Sequence, residues 1–235
     1  MLKTIDKYNN LKLYHSSHEG ELYICDDESI IIKVYYLDNI DPDFDSIIKI
    51  VDISINASKL IPEYVPKIYL KYETQDYIAL IMERINGITL NEYLKLNINS
   101  NIKSIEEIVS SLYTTVLNLH NIGYTHGDLH SNNIIVYNDN KVKLIDFGQS
   151  GLVGEMSASD ENIPEIYSDY LYLKYYIGIL IFPTLVRCSI STTIKAIKDF
   201  TIKDVINYDQ FPLLANKLFS MLNSFPKDLE DSIED

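Results

Sequence analysis

Positive charge is scarce in this sequence. Its 235 residues hold 20 Lys and Arg against 34 Asp and Glu, a formal net charge of −14. That balance argues against direct nucleic-acid binding, which rests on neutralising phosphates, and weakly favours basic partners. Cysteine is nearly absent. Cys25 and Cys188 lie far apart and lack metal-ligand spacing. They exclude a disulfide scaffold and read as two reduced thiols of a cytoplasmic protein. Glycine and proline are sparse, at 8 and 7 residues, and no long low-complexity linker or internal repeat is visible. Long apolar runs are missing too. The longest, Tyr170 to Val186, contains Lys174, Gly178 and Pro183, and reads as a buried core helix rather than a membrane span. Met1-Leu2-Lys3 leads straight into polar residues instead of a signal sequence, so no membrane association is expected.

What is present is apolar material enough for a sizeable core: 46% of the residues are hydrophobic. One domain with two lobes, or two small domains, is the natural reading. The informative stretch runs from Tyr124 to Ser150. Two strand-like runs, Ile134–Tyr137 and Lys141–Ile145, flank the turn signal Asn138-Asp139-Asn140. That is a hairpin. His126, Asp128 and Asn133 stand before it and Asp146 after it, so Asp128, Asn133 and Asp146 should converge on one small volume. Two acids and an amide oxygen suit Mg²⁺ or Mn²⁺ rather than zinc.

The flanking chain supplies the rest of a frame. Leu11–Tyr14, Glu21–Ile24 and Ile30–Tyr35 read as a meander of strands, with Ser16, Ser17 and Gly20 in the first turn. Lys33 interrupts the last of these and must either snorkel or hold a partner. Asp41-Pro42-Asp43 opens a helix. Ile47, Ile48, Val51 and Ile55 recur there at helical spacing, with Asp52 beside the stripe. Val65–Tyr72 and Tyr77–Met82 make a second strand pair. Glu83-Arg84-Ile85-Asn86-Gly87 follows as a loop. Ser104-Ile105-Glu106-Glu107 reads as a capping box, and Ile105, Ile108, Val109, Leu112, Val116 and Leu119 continue as a buried stripe that Gly123 ends. Asp169 is placed to open the apolar helix after Ser168, where it would favour the helix dipole. The tail Lys227–Asp235 is acidic and reads as a solvated end.

His126-Gly127-Asp128-Leu129 with Asn133, followed by Asp146-Phe147-Gly148, resembles the H-x-D-L-x-x-x-N and D-F-G motifs of the protein-kinase superfamily. The resemblance implies an α+β, two-lobed fold: an antiparallel sheet lobe with its helix over 1–82, a hinge over 83–90, a helical lobe over 91–226 and the acidic tail 227–235. It implies Mg-ATP as cofactor, or Mn²⁺ in place of Mg²⁺, and a protein substrate or partner protein. Asp128 falls on the catalytic acid, and Asn133 and Asp146 on the metal ligands. Lys33 falls on the lysine that holds the α- and β-phosphates. Asp52 is its candidate partner, with Asp45 and Glu63 as alternatives. Gly20 is what remains of the glycine-rich loop. Met82 falls on the gatekeeper, and the backbones of Glu83 and Ile85 on the adenine contacts. His126 and Asp169 fall on structural positions, Asp169 accepting hydrogen bonds from the catalytic-loop backbone. His130 stands where protein kinases carry a lysine near the γ-phosphate.

Within the superfamily, H-G-D-L, V-P-K-I-Y and I-D-F-G-Q-S look most similar to the small atypical kinase of the KEOPS complex. The activation segment, Gln149 to Ser168, is short, and no A-P-E motif is found at its usual place. The C-terminus is acidic where that kinase is basic. His126–His130, read as H-G-D-L-H, also resembles aminoglycoside and choline phosphotransferases. Phosphorylation of a Ser or Thr hydroxyl is therefore expected, with a small-molecule phosphotransferase or a partner-binding pseudokinase as alternatives.

Overall fold

A computed structural model describes residues 11–17, 20–25, 29–37, 44–96, 101–156 and 165–226. The chain divides into two units, Met1–Asn86 with Asp146–Gly148, and Gly87–Ile145 with Gln149–Asp235.

The first unit is built on β1 (Lys12–Ser17), β2 (Gly20–Ile24), β3 (Ile30–Tyr36), helix α1 (Phe44–Leu60), β4 (Ile68–Glu73) and β5 (Tyr77–Glu83). The strands form one antiparallel sheet in the order β1-β2-β3-β5-β4. Side chains alternate across a strand, so β3 and β5 each feed two cores. Ile32, Val34, Ala79 and Ile81 bury with Cys25 on one face. Tyr35, Ile78 and Leu80 bury on the other with Ile50 and Val51 of α1. A centre covered on both faces explains why β5 reads as a continuous apolar run. Gly20 has φ +144°, and a Cβ there would lie 2.0 Å from the Val34 carbonyl oxygen. The sheet itself thus demands this glycine, which the sequence suggested for a nucleotide.

The second unit holds β6 (Gly87–Thr89), α2 (Leu90–Leu96), α3 (Ile102–Asn121), β7 (Tyr124–Thr125), β8 (Ile134–Tyr137), β9 (Lys141–Leu144), β10 (Gly151–Leu152), α4 (Glu165–Ile181), α5 (Ile190–Ile197) and α6 (Pro212–Leu222). Short sheets β6-β8-β9 and β7-β10 carry the functional loops. The stripe of α3, Ile105 to Leu119, is buried as its spacing predicts. Helix α4 is buried along most of its length, from Leu173 to Ile181, and stops before Pro183. Among the described residues, no helix is long and apolar enough to cross a membrane.

Three boundaries differ from expectation. Helix α3 is capped by Asn101, whose side chain accepts from Lys103 N and Ser104 N, so the helix starts before Ser104. Asn caps as well as Ser does, and Ile102 is buried from the first turn. Asp169 sits inside α4, since the helix already runs from Glu165. The stretch 83–90 is not all loop: Glu83 ends β5, and Gly87–Thr89 pairs with Ile135–Tyr137. Asp41-Pro42-Asp43 and the acidic tail lie outside the described residues.

Candidate active site

Lys33 and Asp146 meet within the first unit. Lys33 Nζ lies 2.5 Å from Asp146 Oδ1, with the lysine side chain 14% exposed and the aspartate 43%. The ammonium also stands 5.0 Å from the ring centre of Tyr35, two residues on and on the same face of β3. Asp146 has φ +63°, a left-handed conformation that non-glycine residues seldom adopt and that clusters at functional sites. The pairing expected from the sequence is therefore corrected. Asp52 lies on the exposed side of α1, and a counter-charge that meets Lys33 is Asp146. Glu63 is exposed as well, and the side chain of Asp45 lies outside the described residues.

Glu83 N donates to Lys67 O at 2.8 Å, and Glu83 Oε2 accepts from Lys67 N at 3.1 Å. The Glu83 N–H is thus taken and is excluded as an adenine partner. Ile85 lies in the irregular stretch after β5, half-buried, and Met82 is half-buried within β5.

The loop between β7 and β8 carries the other candidates. Turn residues Asn138, Asp139 and Asn140 all have positive φ, which short polar side chains tolerate, and they close the β8–β9 hairpin. Asn133 N donates to His130 O at 2.8 Å, and Asn133 O accepts from Ile145 N at 2.9 Å. Asn133 Nδ2 donates to the Asp128 main-chain oxygen and to Asp128 Oδ2, both at 3.0 Å. Both partners are acceptors, which fixes the amide orientation and presents Oδ1 as the hard-oxygen donor. His130 Nε2 lies 3.3 Å from Asp128 Oδ2, both side chains being about two-fifths exposed. His130 Nδ1 accepts from Asn132 N at 3.2 Å.

Buried groups hold this loop. His126 is fully buried; its Nε2 donates to Ile145 O at 3.0 Å, and its Nδ1 faces the Asp128 N–H at 3.4 Å. Asp169, also fully buried, accepts from His126 N at 2.7 Å and Gly127 N at 3.0 Å. His120 Nε2 completes the group at 2.8 Å from Asp169 Oδ2. Sequence reasoning missed His120. Its only signal was a polar residue directly after Leu119, on the edge of the buried stripe. Gly127 has φ +74°, and a Cβ there would lie 2.0 Å from Gln149 O. The segment after Gly148 lies along β7: Ser150 Oγ donates to His126 O, Gly151 pairs with Thr125, and Val153 N donates to Gly123 O. Beside the loop stands Tyr172 of α4, whose phenol is pushed up by burial and further by the Asp128 charge.

Among the described residues, no three His, Cys, Asp or Glu side chains are grouped to hold a metal ion. Mg²⁺ is bound through one or two carboxylates plus substrate phosphates, not by an all-protein cage. Asp146 Oδ and Asn133 Oδ1 are oxygen donors of that kind.

Residues 22–177 match the family of the protein kinase domain. The chain belongs to the protein kinase family. An antiparallel sheet followed by helices is the α+β architecture of that domain, and the family uses ATP with a divalent metal ion. Three relatives illustrate the likeness of this kinase domain. It is 30% identical over 82 residues to the serine/threonine-protein kinase cds1 of Schizosaccharomyces pombe, covering 35% of this chain and 18% of that protein. It is 40% identical over 72 residues to the probable serine/threonine-protein kinase fnkB of Dictyostelium discoideum, covering 30% and 14%. It is 24% identical over 155 residues to the maternal embryonic leucine zipper kinase of Xenopus laevis, covering 61% and 23%. The matched stretches thus span less than a quarter of these relatives' own lengths.

Proposed function

We propose that this chain transfers the γ-phosphate of Mg-ATP to a Ser or Thr hydroxyl of a protein. The observation that carries the reading is the Asn133 amide, bonded through Nδ2 to both the carbonyl and the carboxylate of Asp128. It fixes the acid that would take the acceptor's proton and leaves an amide oxygen for the metal. The serine/threonine kinases among the relatives support the acceptor class.

Phosphoryl transfer needs positioning and charge neutralisation more than covalent chemistry. A bound Mg²⁺ supplies part of that neutralisation, with Asn133 and Asp146 as its protein ligands. Lys33 neutralises the α- and β-phosphate oxygens. Asp128 orients the acceptor hydroxyl and takes its proton. His130, next to Asp128, assists at the γ-phosphate in place of the usual lysine. The carbonyl of Glu83 and the N–H of Ile85 are the adenine contacts. Domain limits follow the same reading: a sheet lobe to about Met82, and a helical lobe from about Asn91 to Pro226. The likeness to the compact KEOPS kinase rests on the H-G-D-L, V-P-K-I-Y and I-D-F-G-Q-S motifs. Retention of Lys33, Asp128, Asn133 and Asp146 together speaks against a pseudokinase. A cytoplasmic site of action accords with the two free thiols.

The test is transfer of radiolabel from ATP to casein, to a basic protein and to the chain itself, with Asp128→Asn beside wild type. Label transfer that Asp128→Asn abolishes supports the reading. Labelling of an aminoglycoside or choline in preference to protein moves the chain to the small-molecule alternative.

A further inference from the structure

Lys33 carries its charge at the end of a flexible four-carbon stem, so what holds the ammonium decides which oxygens it can neutralise. Two groups of the first unit meet it. One is Asp146, whose Oδ1 lies 2.5 Å from Nζ. The other is Tyr35, with Nζ over its ring 5.0 Å from the centre. The strand itself produces this second contact, because side chains two residues apart share a face of β3. The two groups are seated differently. Asp146 is 43% exposed, whereas Tyr35 is 2% exposed and buried together with Ile50 and Val51 of α1 and Ile78 and Leu80 of β5. They also differ in chemistry. A carboxylate occupies one of the three ammonium donors, and its oxygens are the atoms that a metal ion would use. An aromatic face attracts the charge through its quadrupole, adds no charge of its own, and leaves those donors to phosphate oxygens.

We propose that Tyr35 is a positioning residue for nucleotide binding. Its ring holds the Lys33 ammonium in place for the α- and β-phosphates, and goes on holding it when Asp146 serves the metal. Tyr35 acts through Lys33, by its aromatic face and not by its hydroxyl. The inference rests on the reading of Lys33 as the phosphate-binding lysine given above. Its physical basis is preorganisation: a lysine ordered before the ligand arrives need not be ordered by it. The core that seats α1 against the sheet seats this ring as well.

The test is calorimetric titration of the full chain with Mg²⁺ and a non-hydrolysable ATP analogue. Tyr35→Leu removes the aromatic face and should weaken binding about five-fold, within the two- to thirty-fold span that cation–π contacts cover. Tyr35→Phe keeps the face and should restore affinity to within about two-fold of wild type. Replacing Tyr35 by mono-, di- and trifluorinated phenylalanine drains the ring face at nearly constant volume, and affinity should fall stepwise toward that of Tyr35→Leu. In a Lys33→Met background, Tyr35→Leu should weaken what binding remains by less than two-fold, because the group it acts through is gone. In wild type without ligand, NMR should show the Lys33 side-chain methylenes shifted upfield by the ring current, with Lys33→Arg assigning the signals and Tyr35→Leu abolishing the shift. A flat response to fluorination overturns the proposal, and so does an equal loss from Tyr35→Leu with and without Lys33, since a merely structural role gives both. A wild-type chain that binds the analogue yet transfers no phosphate overturns the transferase reading and leaves this one standing.

Discussion

The ammonium of Lys33 lies on the carboxylate of Asp146, 113 positions away in the sequence, at 2.5 Å. The pair couples a strand lysine to the aspartate that opens D-F-G. Charge-assisted bonds of this kind are about twice as strong as neutral ones. Lys33→Ala should therefore cut transferase activity severely and raise KM for ATP. Asp52→Ala should leave both constants near wild type, because Asp52 faces solvent on α1. Steady-state kinetics of the two variants decide this. A severe loss with Asp52→Ala would return that residue to the lysine's side.

Gly127 stands where phosphorylation-regulated kinases carry an arginine that reads the loop phosphate. With φ +74° and Gln149 O 2.0 Å from a would-be Cβ, no side chain fits there without displacing backbone. The left-handed conformation alone costs a non-glycine residue about 1–3 kcal/mol. Gly127→Ala should lower Tm by several degrees, and thermal unfolding measures it. Without that arginine, phosphatase treatment should leave wild-type activity unchanged. A large loss traced to a phosphosite between Gln149 and Ser168 would count against the reading.

Stability at low pH has a visible contributor. Glu106 of α3 is bonded by Lys217 of α6 and by Ser110, and the Lys217 bond chiefly holds its carboxyl below the usual range. A carboxylate with a depressed folded pKa gives stability that is present above its unfolded pKa. That stability is lost as pH falls through the folded value. Lys217→Met should therefore destabilise at neutral pH and converge with wild type as pH drops through and below the carboxylate range. Both side chains reach solvent, so the difference is small, below about 1 kcal/mol. Denaturant midpoints at several pH values measure it. A difference that persists unchanged into strong acid would remove the ion pair as its cause.

How far the sequence could be read follows from which signals are local. The β8–β9 hairpin was legible because Asn138-Asp139-Asn140 is a turn by its own chemistry, and all three residues take the positive φ that this chemistry allows. The buried stripe of α3 was legible from its period. Asp52 was misread because an apolar stripe specifies the buried face but not to which side of it a flanking residue falls. Strand β6 escaped because three residues hold no period, and its pairing with Ile135–Tyr137 is long-range.

The last prediction separates chemistry from binding. Asp128 is bonded by Asn133 Nδ2 and faces His130, whereas Asp146 is bonded by Lys33. If Asp128 takes the acceptor proton, Asp128→Asn keeps size and shape and loses only the base. General-base catalysis is worth roughly 10²–10⁴ in rate. Asp128→Asn should therefore bind Mg-ATP nearly as well as wild type and transfer phosphate poorly. Asp146→Asn removes a charge from the metal donors and from the partner of Lys33. It should weaken Mg²⁺-dependent nucleotide binding as well as turnover. Calorimetric titration of both variants with a non-hydrolysable ATP analogue, with and without Mg²⁺, reads the division directly. Loss of nucleotide binding in Asp128→Asn alone would exchange the two roles. Full transfer by both variants would remove Asp128 and Asp146 from the roles assigned to them here.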